Sequence, residues 1–157
     1  MFDHPLHPMI VHFPIALLLT SVLFDAASHF FKRDSLRDGA LWLLGLGLLG
    51  GIAASIAGSV AEEAAEKAGI AESLIETHET LAFVTIGIFG MLFLWRLFFR
   101  NQFTGQRLAM YLLVAIIGVG TLSATGYYGG DLVYEHGAGV NVVSQGTATV
   151  ASNHHND

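Results

Sequence analysis

The sequence predicts an all-α integral membrane protein, a four-helix bundle whose helices run up, down, up and down. Of its 157 residues, 53% are hydrophobic and only 13% are charged, whereas charged residues make up about 25% of an ordinary soluble protein. The mean hydropathy is +0.57. The hydrophobic residues also gather into four runs of about 20 residues, which is the length that a helix needs to cross a bilayer.

Each apolar run predicts one membrane span, and the second and fourth runs hold no charged residue. The expected spans are about 10–31, 39–61, 80–99 and 108–130. Residues 1–137 would then form the bundle, and 138–157 would form a polar outer tail. The connection 62–77 is rich in Ala and Glu, and we expect it to form a separate surface helix on the outer rim.

The basic residues predict the orientation, because cytoplasmic loops carry the excess of Lys and Arg. Six of the seven lie in the first and third connections or at the adjoining end of a span: Lys32, Arg33, Arg37, Arg96, Arg100 and Arg107. Both termini are therefore expected in the periplasm and the spans in the bacterial inner membrane. No basic segment precedes the first span, so no cleaved signal peptide is expected. Three aromatic residues are expected in a belt near the inner face: Trp42, Trp95 and Tyr111.

The chain contains no cysteine, and this limits the cofactors that it could hold. Disulfides, iron–sulfur clusters and covalently attached haem all need cysteine thiols. Any haem in this protein must therefore be held without a covalent link. As partners we expect membrane lipids, and no nucleic acid.

Histidines from three segments gather at the predicted outer face. The opening segment His4-Pro5-Leu6-His7-Pro8-Met9-Ile10-Val11-His12-Phe13-Pro14 supplies His7 and His12, while His78 opens the third span and His136 follows the fourth. His12 is the first candidate, because an ionisable side chain inside a span is costly unless it pairs or binds something. His7 and His12 lie about 140° apart on an unbroken helix, so we expect them to have separate roles. Each histidine alone could be a polar residue at a helix end, and the prediction depends on their convergence.

Two histidines from different helices of a bundle can hold haem b as its axial ligands. His12 and His78 are the expected pair, and His7 with His136 would build a second site. Small residues in the second and fourth spans would leave room for the macrocycle, or would simply let the helices pack closely. Together with neighbouring carboxylates, the same four histidines could instead hold a single transition-metal ion.

Asp25 is the one acidic residue within the predicted spans, and Ser21 and Ser28 share its helical face. A buried acid in a membrane often handles protons. It could equally be a hydrogen-bonded part of the structure. Both interpretations of Asp25 stay open.

Four features together resemble the bacterial membrane family called domain of unknown function 2231. They are the opening segment through Ile15, Asp25 in the first span, His78, and the segment Gly130-Asp131-Leu132-Val133-Tyr134-Glu135-His136-Gly137-Ala138-Gly139-Val140. The resemblance covers nearly the whole chain. Similar domains occur joined to Rieske or c-type cytochrome domains, which implies a redox setting for this chain as well.

The leading functional prediction is a membrane protein that binds haem b and transfers electrons near the periplasmic face. Its donor would be a membrane molecule such as quinol, and its acceptor a periplasmic cytochrome c or Rieske-type protein. No catalytic residue is predicted, and whether the chain is an enzyme is left open. The alternative is a non-catalytic subunit or assembly factor of a larger membrane complex or homo-oligomer, with structural or metal-binding histidines. A small transporter is disfavoured, because beyond His12 at the outer end only Asp25 and His29 interrupt the first span with ionisable groups, and no repeat with broken helices is visible.

Overall fold

A computed structural model describes residues 6–67, 69–99 and 105–138 of the chain. These residues form four helices, α1 (Leu6–Phe31), α2 (Asp34–Lys67), α3 (Glu72–Phe98) and α4 (Gln106–Tyr134). Each helix contains a segment long and apolar enough to cross a membrane. The predicted tail beyond residue 138 lies outside the described residues. The all-α membrane bundle that the sequence predicted is confirmed.

The helices pack mainly with their neighbours in the chain. Contacts are most extensive between α1 and α2, followed by α3 with α4 and α2 with α3, so that α1 and α3 lie diagonally across the bundle. We call the end that holds the start of α1 and the end of α4 the histidine end. The opposite end, with the α1–α2 turn and the start of α4, is the basic end.

The predicted surface helix over 62–77 is wrong. The helix α2 continues to Lys67, and α3 already begins at Glu72. Ala and Glu are strong helix formers, so the Ala/Glu-rich segment extends α2 beyond the apolar span. The break comes at Gly69, whose φ of +83° lies in the left-handed region that favours glycine.

The glycines of α2 allow it to approach α1 closely. A Cβ at Gly47 would lie 2.8 Å from the Leu18 side chain, and one at Gly50 would lie 3.3 Å from Pro14. Pro14 is inside α1, which begins at Leu6, before the candidate membrane span Ile10–Phe31. Pro14 is buried, and its ring packs against α2 at Gly50. Of the two interpretations of the small residues, close helix packing is the one seen at Gly47 and Gly50.

Buried residues recur at intervals of three and four along α3 and α4, as in a coiled-coil seam. In α3 they are Ile75, Thr85, Phe89, Leu92 and Arg96. In α4 they are Leu108, Tyr111, Ala115, Gly118, Leu122 and Leu132. The opposite faces expose large apolar side chains, such as Leu94 and Ile116. This arrangement suits a bundle with lipid around it.

Candidate functional site

A buried ion pair joins α1 to α3 near the basic end of the bundle. Arg96 donates a guanidinium hydrogen bond to the Asp25 carboxylate, and only 4% of the Arg96 side chain and 1% of the Asp25 side chain are exposed. From α4, Tyr111 donates its hydroxyl to the other carboxylate oxygen at 2.8 Å. The carboxylate thus has a donor on each oxygen, which a buried charge requires.

The same guanidinium also reaches α2. Arg96 donates a second hydrogen bond, 2.6 Å long, to the carbonyl oxygen of Arg37 in the first turn of that helix. We call Asp25, Arg96, Tyr111 and the Arg37 carbonyl the Asp25 network. Its four members come from the four helices, so the network fixes their relative positions at the basic end.

Sequence analysis did not find this network. Arg96 was expected in a cytoplasmic connection and Tyr111 in an aromatic belt, and both expectations are wrong because both side chains are buried. The available signal was spacing, since Arg96 follows Phe89 and Leu92 on one helical face. Ser28 and Ser21 do share the face of Asp25, but their hydroxyls donate to backbone carbonyls of α1 rather than to the carboxylate. Proton handling by Asp25 stays a prediction.

The His78 imidazole lies half-buried between α3 and α4 at the histidine end. Its Nδ1 is 3.0 Å from the carbonyl oxygen of Thr125. A carbonyl can only accept, so Nδ1 must carry the proton, and in the neutral ring the lone pair is then on Nε2. Gly129 makes room for the ring, because a Cβ there would lie 2.9 Å from Cε1 of His78.

The other candidate histidines lie in different settings. His12 is on α1 with an exposed side chain, two residues and therefore about 200° from the buried Pro14. His136 is exposed in the turn after α4, where its Nδ1 is 3.3 Å from the carbonyl oxygen of Asp131. His29 is exposed at the basic end. The structure therefore does not place His12 on the interior face with His78.

The backbone position of His7 matches that of His78. His7 precedes Asp25 by 18 residues on α1, and His78 precedes Arg96 by 18 residues on α3. Eighteen residues are five complete turns, or about 27 Å of helix. Because Asp25 and Arg96 touch each other and the two helices run in the same direction, we expect the backbone positions of His7 and His78 to lie at a similar depth.

The distance between these two levels is close to the thickness of a membrane's hydrocarbon core. The hydrocarbon core is about 30 Å thick, close to the roughly 27 Å between the histidine level and the Asp25 network. Within the described residues, the structure shows no group of three or more His, Cys, Asp or Glu side chains arranged to hold a metal ion. A haem iron takes most of its ligands from the macrocycle and needs only one or two from the protein.

The comparisons with known proteins agree with the membrane bundle. A family model described as a predicted membrane protein, DUF2231, matches residues 3–142. No curated protein and no solved structure matches the chain.

Proposed function

We propose that this chain, which belongs to the DUF2231 family of predicted membrane proteins, holds haem b at the histidine end and transfers electrons. The donor is a membrane molecule such as quinol, and the acceptor is a periplasmic cytochrome c or Rieske-type protein. The proposed orientation of the bundle in the membrane follows from the basic end, where Lys32, Arg33 and Arg107 are exposed. Exposed basic residues are expected on the cytoplasmic side.

The orientation of His78 is the observation that carries this proposal. Protein histidines that bind metals commonly donate their other ring N–H to a carbonyl or a carboxylate, which fixes the tautomer and the plane of the ring. The Thr125 carbonyl does this for Nδ1 of His78, and in this proposal Nε2 is the atom that binds iron. The same carbonyl makes the imidazole a stronger electron donor to iron.

The second axial ligand comes from α1. Sequence analysis favoured His12, but the shared depth of the His7 and His78 positions favours His7 as the partner across the bundle. The sequence predicted a second site from His7 and His136; with His7 assigned to the first site, we propose His12 and His136 as the ligands of a second one. Bound haem would supply a one-electron carrier, while the helices would hold both imidazoles at one depth.

The acidic residues at the histidine end support a basic acceptor. The carboxylates described there are Glu62, Glu72, Glu76, Glu79, Asp131 and Glu135, of which Glu72, Glu76 and Glu135 are exposed. A basic protein would be attracted to this surface, and raising the ionic strength would weaken the attraction. The negative charge of this surface is complementary to a partner with exposed Lys and Arg side chains.

The test is a panel of single alanine variants purified from bacterial membranes, with haem content per chain and the low-spin spectrum as readouts. His78→Ala and His7→Ala are each expected to abolish the low-spin signal, because each removes one axial ligand. His29→Ala is the matched control at the basic end and should keep the full content. If His12→Ala abolishes the signal while His7→Ala keeps it, the assignment of the α1 ligand is overturned.

Two further outcomes decide between the alternatives. A loss of about half the haem in both His12→Ala and His136→Ala would show a second site. Full haem content in His78→Ala would refute the proposal. A folded wild-type protein without haem would favour the role of a structural subunit in a larger complex.

A further inference from the structure

We propose that the groove at the basic end binds the phosphate of an anionic phospholipid. The groove is lined by residues from the end of α1, the following turn and the starts of α2 and α4: Ser28, His29, Lys32, Arg33, Asp34, Arg37 and Leu108. The inference does not depend on haem, since the groove lies at the opposite end of the bundle from His78.

The charges of the groove favour an anion. Lys32, Arg33 and Arg37 contribute three positive charges against the single carboxylate of Asp34, which is 2.9 Å from the Arg37 guanidinium. The groove thus has a net charge of +2 with His29 neutral. Basic residues directly beside a membrane span attract anionic headgroups.

Lys32 occupies a backbone conformation that normally favours glycine. Its φ is +49°, and the N–H of the next residue, Arg33, bonds to the Ser28 carbonyl at 3.3 Å. This is the helix-ending motif in which glycine usually takes the left-handed position. A lysine in this position is strained, and strain of this kind persists chiefly where the side chain has a function. The lysine side chain is placed at the groove.

Hydrogen bonds fix the backbone of the residues that line the groove. The Arg37 carbonyl accepts a hydrogen bond from buried Arg96, and the Ser28 hydroxyl is bonded to the Asp25 carbonyl at 2.8 Å. The Arg37 part of the groove is therefore attached directly to the Asp25 network, while Ser28 is held within α1. A groove fixed in this way loses little freedom when an anion binds, which favours binding.

The location selects a lipid over a dissolved anion. The groove has a volume of about 180 Å³, below the roughly 300–1,000 Å³ of pockets that enclose whole ligands. A lipid would insert only its phosphate there while its chains stay in the bilayer. Phe30 and Phe31, which are 80% and 70% exposed, lie beside the groove and would contact those chains.

The experiment measures lipid binding to the full chain in mixed micelles, by titration with phosphatidylglycerol or zwitterionic phosphatidylcholine and by native mass spectrometry. Phosphatidylglycerol should bind at least five-fold more tightly, and its affinity should fall as salt rises. Lys32→Gly should weaken its binding about five-fold, as expected for one charge near an anionic surface. The double variant Lys32→Gly with Arg33→Gln should weaken it further.

Lys32→Gly also separates loss of binding from misfolding. The glycine relieves the left-handed strain, so the melting temperature should rise while the lipid affinity falls. Arg107→Gln is the matched control, because Arg107 lies at the same end, outside the groove and against Phe99. The proposal is overturned if the two lipids bind equally or if Arg107→Gln weakens binding as much as Lys32→Gly. It is also overturned if inorganic phosphate at a few times the lipid concentration displaces the lipid, which would identify a site for a dissolved anion.

Discussion

The buried ion pair between Asp25 and Arg96 should dominate the stability of the bundle, and the two partners should behave differently when separated. Removing one partner of a buried ion pair typically costs about 3–5 kcal/mol. In Asp25→Leu the buried guanidinium remains and cannot release its proton, so we expect the full loss of about 4 kcal/mol. Its hydrogen bond to the Arg37 carbonyl does not neutralise the charge.

In Arg96→Met the carboxylate remains, but it can be neutralised. Protonating an aspartic acid with an ordinary pKa of about 3.9 costs about 4 kcal/mol at pH 7 and about 1.5 kcal/mol at pH 5. That cost sets an upper limit on the part of the destabilisation that comes from the unpaired charge, and Tyr111 still donates to the carboxylate. The destabilisation of Arg96→Met should therefore shrink as the pH falls from 7 to 5, whereas that of Asp25→Leu should not.

The assay is reversible unfolding in mixed micelles by sodium dodecyl sulfate, followed by circular dichroism. The double variant Asp25→Leu with Arg96→Met should lose much less stability than the sum of the single variants, because an apolar pair can replace a buried ion pair at little cost. Asp34→Asn is the control, since the Asp34 side chain is 82% exposed and its ion pair should contribute less than about 1 kcal/mol. Additive losses in the two single variants, or an equal loss in Arg96→Met at pH 5 and at pH 7, would refute the reasoning.

Three further predictions concern the packing and the topology. Tyr111→Phe should lower the free energy of unfolding by about 1.5–3 kcal/mol in the same assay, because it removes a hydrogen bond to a charged group. A loss below about 0.5 kcal/mol would contradict the network. Gly129→Ala should lower the free energy of unfolding by about 1–3 kcal/mol, because the new Cβ would overlap with the His78 ring, and it should also lower the haem content. Gly126→Ala is the control, since nothing lies within 4 Å of its new Cβ, and it should be neutral or slightly stabilising. Alkaline phosphatase fused to the C terminus should be active, because the basic end is expected in the cytoplasm; an inactive fusion together with an active cytoplasmic reporter would reverse the topology.

The four helices were predictable because length and hydropathy are properties of local sequence. The ends were less predictable, since helix propensity continues past the apolar run. The helix α2 extends to Lys67 through Ala and Glu, and α1 starts before Pro8 although the first span was expected to begin at Ile10. Hydropathy indicates which residues can lie within the membrane, but it does not indicate how far the helix extends beyond them.

The partners of Asp25 were harder to predict, because they depend on which faces of distant helices meet. Arg96 near the end of an apolar run has the sequence pattern of a charge that reaches water, and only its register with Phe89 and Leu92 indicated burial. The same limit applies to the histidines. His12 lies deeper in the predicted span than His7, yet the contact between Asp25 and Arg96 is what sets the register across the bundle, and that contact is not visible in the sequence.

The most direct test of the haem proposal is the visible absorption spectrum of the wild-type protein, purified from bacterial membranes, as isolated and after adding a quinol without oxygen. The proposal predicts a low-spin haem b spectrum that the quinol converts to the reduced form, with at least one haem per chain. A protein with intact helices by circular dichroism but with no haem absorbance, even when haem is supplied during expression, would contradict it.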